Sequence, residues 1–80
     1  MFHKIKCVCL LEDFKLSVQF CEGVAKTYDI VTLFNKIPVF AYFKAHPEEF
    51  ECVSVDVGGY GIMWNDDLDL SCDELWKHGL

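Results

Sequence analysis

Eighty residues, 52% hydrophobic and 15% aromatic, bound a single domain with a small interior, since a chain this short removes only about 60% of its unfolded surface from water. All seven cations are lysines against thirteen acids, for a net charge of −6; with no arginine fork to read guanine or clamp phosphate, direct nucleic-acid binding is set aside. No apolar run approaches the ~18 residues that span a bilayer, Met1-Phe2-His3-Lys4-Ile5-Lys6 lacks a signal-peptide core, and five cysteines without a C-x-x-C pair fit free thiols in a cytoplasmic protein, each a small buried hydrophobe.

From Lys4 to Leu11 the side chains alternate, with Ile5, Cys7, Cys9 and Leu11 on one face and Lys4, Lys6, Val8 and Leu10 on the other. That is a strand. Glu12-Asp13-Phe14 reads as a turn, and Lys15 to Phe20 is a second strand with Leu16, Val18 and Phe20 together. The next turn sets the register of a third strand, Val24 to Asp29. A two-residue loop would pair Leu16 with Asp29 and mix faces. A three-residue loop, Cys21-Glu22-Gly23 with Gly23 left-handed, pairs Phe20 with Val24, Val18 with Lys26 and Leu16 with Tyr28, and is preferred.

The period turns helical between Ile30 and His46. Asp29 caps a first short helix that buries Ile30, Leu33 and Phe34, and Pro38 opens a second that buries Val39, Phe40 and Phe43, with Pro47 just past its end. Strand returns at Glu51, with Val53, Val55 and Val57 alternating. Gly58-Gly59 makes a two-residue hairpin loop that sets Val57 opposite Tyr60, Val55 opposite Ile62 and Val53 opposite Trp64, all on one buried face.

Residues 1–46 carry a charge of +2 and residues 47–80 carry −8, and the acid concentrates in the turn Asn65-Asp66-Asp67-Leu68-Asp69-Leu70. The turn leads into a last helix capped by Ser71, with Glu74 three residues on: the serine hydroxyl accepts from the Glu74 amide and the Glu74 carboxylate reaches back. The predicted fold is therefore α+β: an antiparallel three-stranded N-terminal meander, two short central helices, a C-terminal β-hairpin and a final capped helix, in one domain over residues 1–80.

The stretches Val53-x-Val55-Asp56, Gly61-Ile62-x-Trp64 and Asp69-Leu70-Ser71-x-Asp73-x-Leu75, with Leu16-x-Val18-x-Phe20 and Gly23 in the other half, resemble a family of short, mainly bacterial proteins catalogued as domain of unknown function twenty-four forty-two. The resemblance spans nearly the whole chain. It implies a strand-rich α+β domain similar to the N-terminal domain of an uncharacterised Nitrosomonas protein. The family the chain resembles has no established enzymatic activity, and no cofactor is expected. The resemblance further implies one half of a two-gene, toxin–antitoxin-like pair whose partner is encoded nearby.

Five readings compete for the acidic segment and the thiols. Asn65, Asp66, Asp67 and Asp69 form the candidate partner-binding surface, offered to a basic protein. The aromatic load adds the expectation of a homodimer, whose interface would serve as extra interior. As an alternative, Asp66, Asp67 and Asp69 would hold a hard divalent cation in a small metal-dependent enzyme, although the calcium-loop template fails because Leu70 and Trp76 stand where glycine and glutamate are needed. A paired-carboxylate hydrolase would draw on Asp56 with Asp66, Asp67 or Asp69. Cys72, at the start of the last helix, is the best thiolate candidate; His3, Cys7 and Cys9 make a metal site only on paper, since C-x-C spacing in a strand reads as core.

Overall fold

The computed structural model describes residues 3–65 and 68–80. Three antiparallel strands, β1 (Ile5–Leu11), β2 (Lys15–Phe20) and β3 (Ala25–Asp29), form the predicted meander in the order β1-β2-β3. The register of β2 on β3 is the expected one, with Leu16 opposite Tyr28 and Val18 opposite Lys26, and the Phe20 amide donates to the Val24 carbonyl at 2.8 Å. Gly23 closes the loop at φ +93°. A Cβ there would meet nothing within 4 Å, so Gly23→Ala pays for backbone strain alone. We expect a loss of about 1–2 kcal/mol in urea unfolding; an unchanged midpoint would show that the loop relaxes freely into another turn.

β1 departs from simple alternation. Ile5 lies opposite Phe20, but Val8 lies opposite Val18 and Leu10 opposite Leu16, with a register shift between Ile5 and Cys7. Directly opposed residues share a face, so a β-bulge near Lys6 takes Cys7, Cys9 and Leu11 off the core side and puts Val8 and Leu10 on it; Val8 packs against the core, while Leu10, further along the strand, is 42% exposed. The physical reason is the odd spacing of the residues the core accepts: Ile5 and Val8 cannot share a face of a regular strand. Cys9 is exposed and Cys7 half-buried in consequence, Cys21 and Cys52 are exposed as well, and of five free thiols only Cys72 is buried. The expectation of five buried cysteines holds for one.

The meander turns at Asp13 and Phe14, both at left-handed φ of 60° and 59°. Phe14 holds that conformation while its ring packs edge-on against Phe34 at 5.6 Å and Phe50 at 5.2 Å. Asp29 then caps the helical segment through its carboxylate, which accepts from the Val31 amide at 3.0 Å. A 3₁₀ turn, Ile30–Thr32, runs into α1 (Leu33–Lys36), and a second, Pro38–Ala41, into α2 (Tyr42–Ala45). Ile30, Leu33, Phe34, Phe40 and Phe43 are buried as the pattern requires, but Val39 is 50% exposed. Pro47, expected beyond the last central helix, starts another, α3 (Pro47–Phe50); its ring suits the first turn, where an amide has no partner to lose.

A second antiparallel sheet has the order β4-β5-β6, from β4 (Ser54–Val55), β5 (Gly61–Asn65) and β6 (Leu68–Ser71). Val55 faces Ile62 as expected, and the glycines hold φ of +95° and +79°. The loop is wider than two residues, however. The Asp56 carbonyl accepts from Gly59 at 3.2 Å and its carboxylate from Tyr60 at 2.8 Å, so Asp56 closes the loop and Val57 stands 99% exposed, with Tyr60 at the surface. Gly59 also joins the two sheets: its carbonyl accepts from the Ile5 amide at 2.8 Å, and a Cβ would lie 2.7 Å from the Ile5 carbonyl oxygen.

β6 occupies what the sequence presented as an acidic turn. Ile62 pairs with Leu70 and Met63 with Asp69, so Leu68 and Leu70 enter the core while Asp69 points out. Two apolar residues with one acid between them are enough for a one-sided strand. The last helix, α4 (Cys72–His78), starts where predicted, with Ser71 Oγ accepting from the Glu74 amide at 3.2 Å. The return half of the capping box gives way to a tertiary contact: Glu74 Oε2 takes the Tyr28 hydroxyl at 2.6 Å and faces His78 Nδ1 at 2.8 Å. On the same helix Trp76 stacks on His3 at 3.6 Å and meets Phe20 edge-on at 5.0 Å. Among the described residues no helix is long and apolar enough to cross a membrane.

Candidate functional site

The helical segment leaves a depression where it meets the β5–β6 hairpin. Pro38 and Val39 precede α2, Tyr42 begins it, Glu49 lies in α3, and Asn65 and Leu68 pair at the end of β5 and the start of β6; together they line an open cleft of about 480 Å³, within the size range of ligand and side-chain pockets. Its walls are built by displacement from the core. Phe40 and Phe43 turn inward onto Trp64, with ring centroids 5.7 and 5.1 Å away, which leaves Val39 and Tyr42 facing outward on the same helical segment. Trp64 fixes the opposite wall through its indole nitrogen, which donates to the Phe50 carbonyl at 3.0 Å and ties β5 to the end of α3.

The polar side of the cleft is acidic. Tyr42 donates its hydroxyl to Glu49 Oε2, and its ring stacks on His46 at 4.1 Å. The hydrogen bond to Glu49, followed by desolvation and the charges of Glu49 and Glu48, holds the Tyr42 hydroxyl above its ordinary range. Asn65 shapes the far rim, its side-chain oxygen accepting from the Leu68 amide at 3.0 Å.

The four residues expected to form one partner-binding surface are thus distributed. Asn65 is on the cleft. Asp69 faces away from it and lines a separate, smaller depression of about 200 Å³ with Asp56, Tyr60 and Ser71. Asp66 and Asp67, which complete both the partner surface and the alternative metal site, lie outside the described residues. Asp56 and Asp69, one of the carboxylate pairs considered for hydrolysis, do line the same depression, but Asp56 is occupied as the loop closure, accepting from Tyr60.

Cys72 does not provide a nucleophile. It is 1% exposed, and desolvation, with the neighbouring Asp73 charge, pushes its thiol up, more than the backbone amides near the start of α4 pull it down. The expected effect of the helix dipole is the weaker one in a helix of seven residues. His3 is spent on Trp76 and on Glu22 at 2.6 Å, and Cys7 on Gln19 at 3.3 Å, so the His3, Cys7 and Cys9 combination is not assembled.

Sequence reasoning passed over Tyr42 and Glu49. The available signal was the run His46-Pro47-Glu48-Glu49, in which proline starts a helix and delivers both acids beside the histidine. Among the described residues His46, Glu48 and Glu49 are the one group of three metal-ligating side chains whose donor atoms converge, all within 4.8 Å of one another.

A second polar cluster lies along α4, where Tyr28, Thr32, Lys36, Glu74 and His78 contribute to a cavity of about 450 Å³. There Tyr28 is buried and its hydroxyl is partnered by Glu74, so the cluster reads as a brace between β3 and α4.

Compared with known proteins, the chain matches no curated protein and no solved structure. A family described as Protein of unknown function (DUF2442) matches over residues 5–79, from the first residue of β1 to the end of α4, and includes every strand and helix described above. The chain belongs to that family, Protein of unknown function (DUF2442).

Proposed function

We propose that this protein is a non-catalytic interaction module that receives a basic segment of a partner protein in the cleft between Val39, Tyr42 and Leu68, as one member of a toxin–antitoxin-like pair. The observation that carries the reading is the composition of that cleft: apolar walls from Pro38, Val39, Tyr42 and Leu68, rimmed by Glu49 and Asn65, at the edge of the half of the chain that carries −8. An apolar side chain next to a lysine or arginine is the ligand that such a surface complements. The wall supplies burial, and the acidic rim supplies orientation and steering.

A second copy of the chain is the other occupant to consider, because Val39 and Tyr42 are 50% and 43% exposed. The aromatic load by itself no longer calls for a dimer, since one chain encloses Phe20, Phe34, Phe40, Phe43, Phe50, Tyr28 and Trp64. Co-expression with the products of the flanking genes tests the reading. We expect one of them, a basic protein, to co-purify, and Glu49→Lys and Val39→Asp each to weaken the complex about 10-fold or more, in line with the loss of a central contact at an interface. A Lys15→Glu control on β2 should leave it intact. Binding unaffected by both cleft variants, or a homodimer broken by Val39→Asp in light scattering, would overturn the proposal.

A further inference from the structure

We propose that His46, Glu48 and Glu49 form a three-ligand site for a divalent transition-metal ion of the zinc, cobalt or nickel class at the rim of the cleft. The site shares Glu49 with the acidic rim of the cleft, and its metal binding is read out on the protein alone, without a partner. His46 Nδ1 lies 3.6 Å from Glu48 Oε1 and 3.9 Å from Glu49 Oε2. Ligands about 2.1 Å from a tetrahedral ion are about 3.4 Å apart; the two distances from His46 are within about half an ångström of that spacing, and all three donors lie within 4.8 Å of one another. The adjustment is within reach of side chains that are 43%, 69% and 44% exposed.

The backbone positions the three donors from a rigid junction. His46 ends α2, where its amide donates to the Tyr42 carbonyl at 3.1 Å, and its own carbonyl accepts from the Glu49 amide at 3.0 Å. Pro47 follows immediately and fixes the first turn of α3. Tyr42 then orients two of the ligands from outside the donor set: its ring lies on the imidazole, only 19° from parallel, and its hydroxyl holds Glu49 Oε2.

Charge points the same way. Among the described residues, the only ion-pair partner of Glu48 and Glu49 is His46. The nearby Lys44 ammonium is placed instead over the Phe34 ring, 5.3 Å from its centre. Two carboxylates and one imidazole match a borderline ion. They are too few oxygens for calcium and the wrong donors for magnesium. Glu49 and Tyr42 also line the cleft.

Cobalt(II) and nickel(II) are the probes, titrated into the whole protein with Cys9, Cys21 and Cys52 changed to serine so that exposed thiols cannot compete. We expect one equivalent to bind, with a cobalt spectrum of nitrogen and oxygen ligation, no response to magnesium, about 10-fold weaker binding in Tyr42→Phe, and loss of binding in His46→Ala. All these positions are on the surface, and unchanged circular dichroism verifies the fold of each variant. Absence of stoichiometric binding, or binding that survives in His46→Ala, would overturn the assignment.

Discussion

Replacing Phe43 with alanine is expected to remove a large share of the protein's folding stability. Phe43 is fully buried, and its ring lies 5.1 Å from Trp64, 5.4 Å from Phe50 and 6.2 Å from Phe40. It therefore sits where α2, α3 and β5 meet, at the centre of the apolar contact between the helical segment and the second sheet. Removing a buried phenylalanine side chain costs about 3–5 kcal/mol, and the loss is largest where rigid neighbours cannot collapse into the cavity. A domain of this length has on the order of 4–12 kcal/mol in total. Phe43→Leu, which keeps most of the volume, should cost under about 2 kcal/mol and preserve the cooperative transition. Urea titration followed by Trp64 fluorescence measures both; a Phe43→Ala loss below 1 kcal/mol would mean that the helical segment does not contribute to the core as described.

Glu74→Ala is expected to cost about 2 kcal/mol and to alter how stability depends on pH. The substitution deprives the Tyr28 hydroxyl of its acceptor, and an unsatisfied buried hydroxyl costs about 1–3 kcal/mol. In the intact protein, partial burial works to raise the Glu74 carboxyl, but the hydrogen bonds from Tyr28 and His78 and the charges of His78 and Lys36 outweigh it and hold the group below its ordinary 4.5. A carboxyl lowered by folding contributes stability that is present above the unfolded value and is lost as pH falls through the folded one. The wild type should therefore lose stability as the solution is acidified below 4.5, and the variant should lose less over that interval.

Tyr28 sets the other limit. Burial first, then the hydrogen bond and charge of Glu74, raise its hydroxyl well above the ordinary 10.0, so its contribution is complete below 10.0 and is lost as pH rises beyond it. Tyr28→Phe should remove that alkaline component while retaining the ring in the core. Unfolding free energies measured across both ends of the pH range verify the pair. Equal acid slopes in wild type and Glu74→Ala would separate Glu74 from the stability of α4.

The meander was legible because its information is local. Gly23 at the third position of a loop decides the register of β2 on β3, and an alternating Leu16, Val18 and Phe20 decides which face is buried. The same holds for Asp29 as a cap, Ser71 as a cap, and Val55 opposite Ile62. The candidate site was not legible in the same way. Tyr42 and Glu49 are seven positions apart, and they reach Asn65 and Leu68 only because Trp64 ties β5 to the end of α3.

What the sequence by itself determined, then, is the α+β class, the order of its main elements, the two caps and the acidity of the second half. All follow from turn chemistry, side-chain period and composition. Only the tertiary structure decided which face of β1 is inward, where a bulge reconciles Ile5 with Val8, and that the acidic segment contains a strand, where Leu68 and Leu70 find the core. It also decided that Glu74 leaves its own helix cap for Tyr28. In each case a local preference worth about 1 kcal/mol or less gave way to burial or a buried hydrogen bond worth more. Those stronger terms depend on partners distant in the chain.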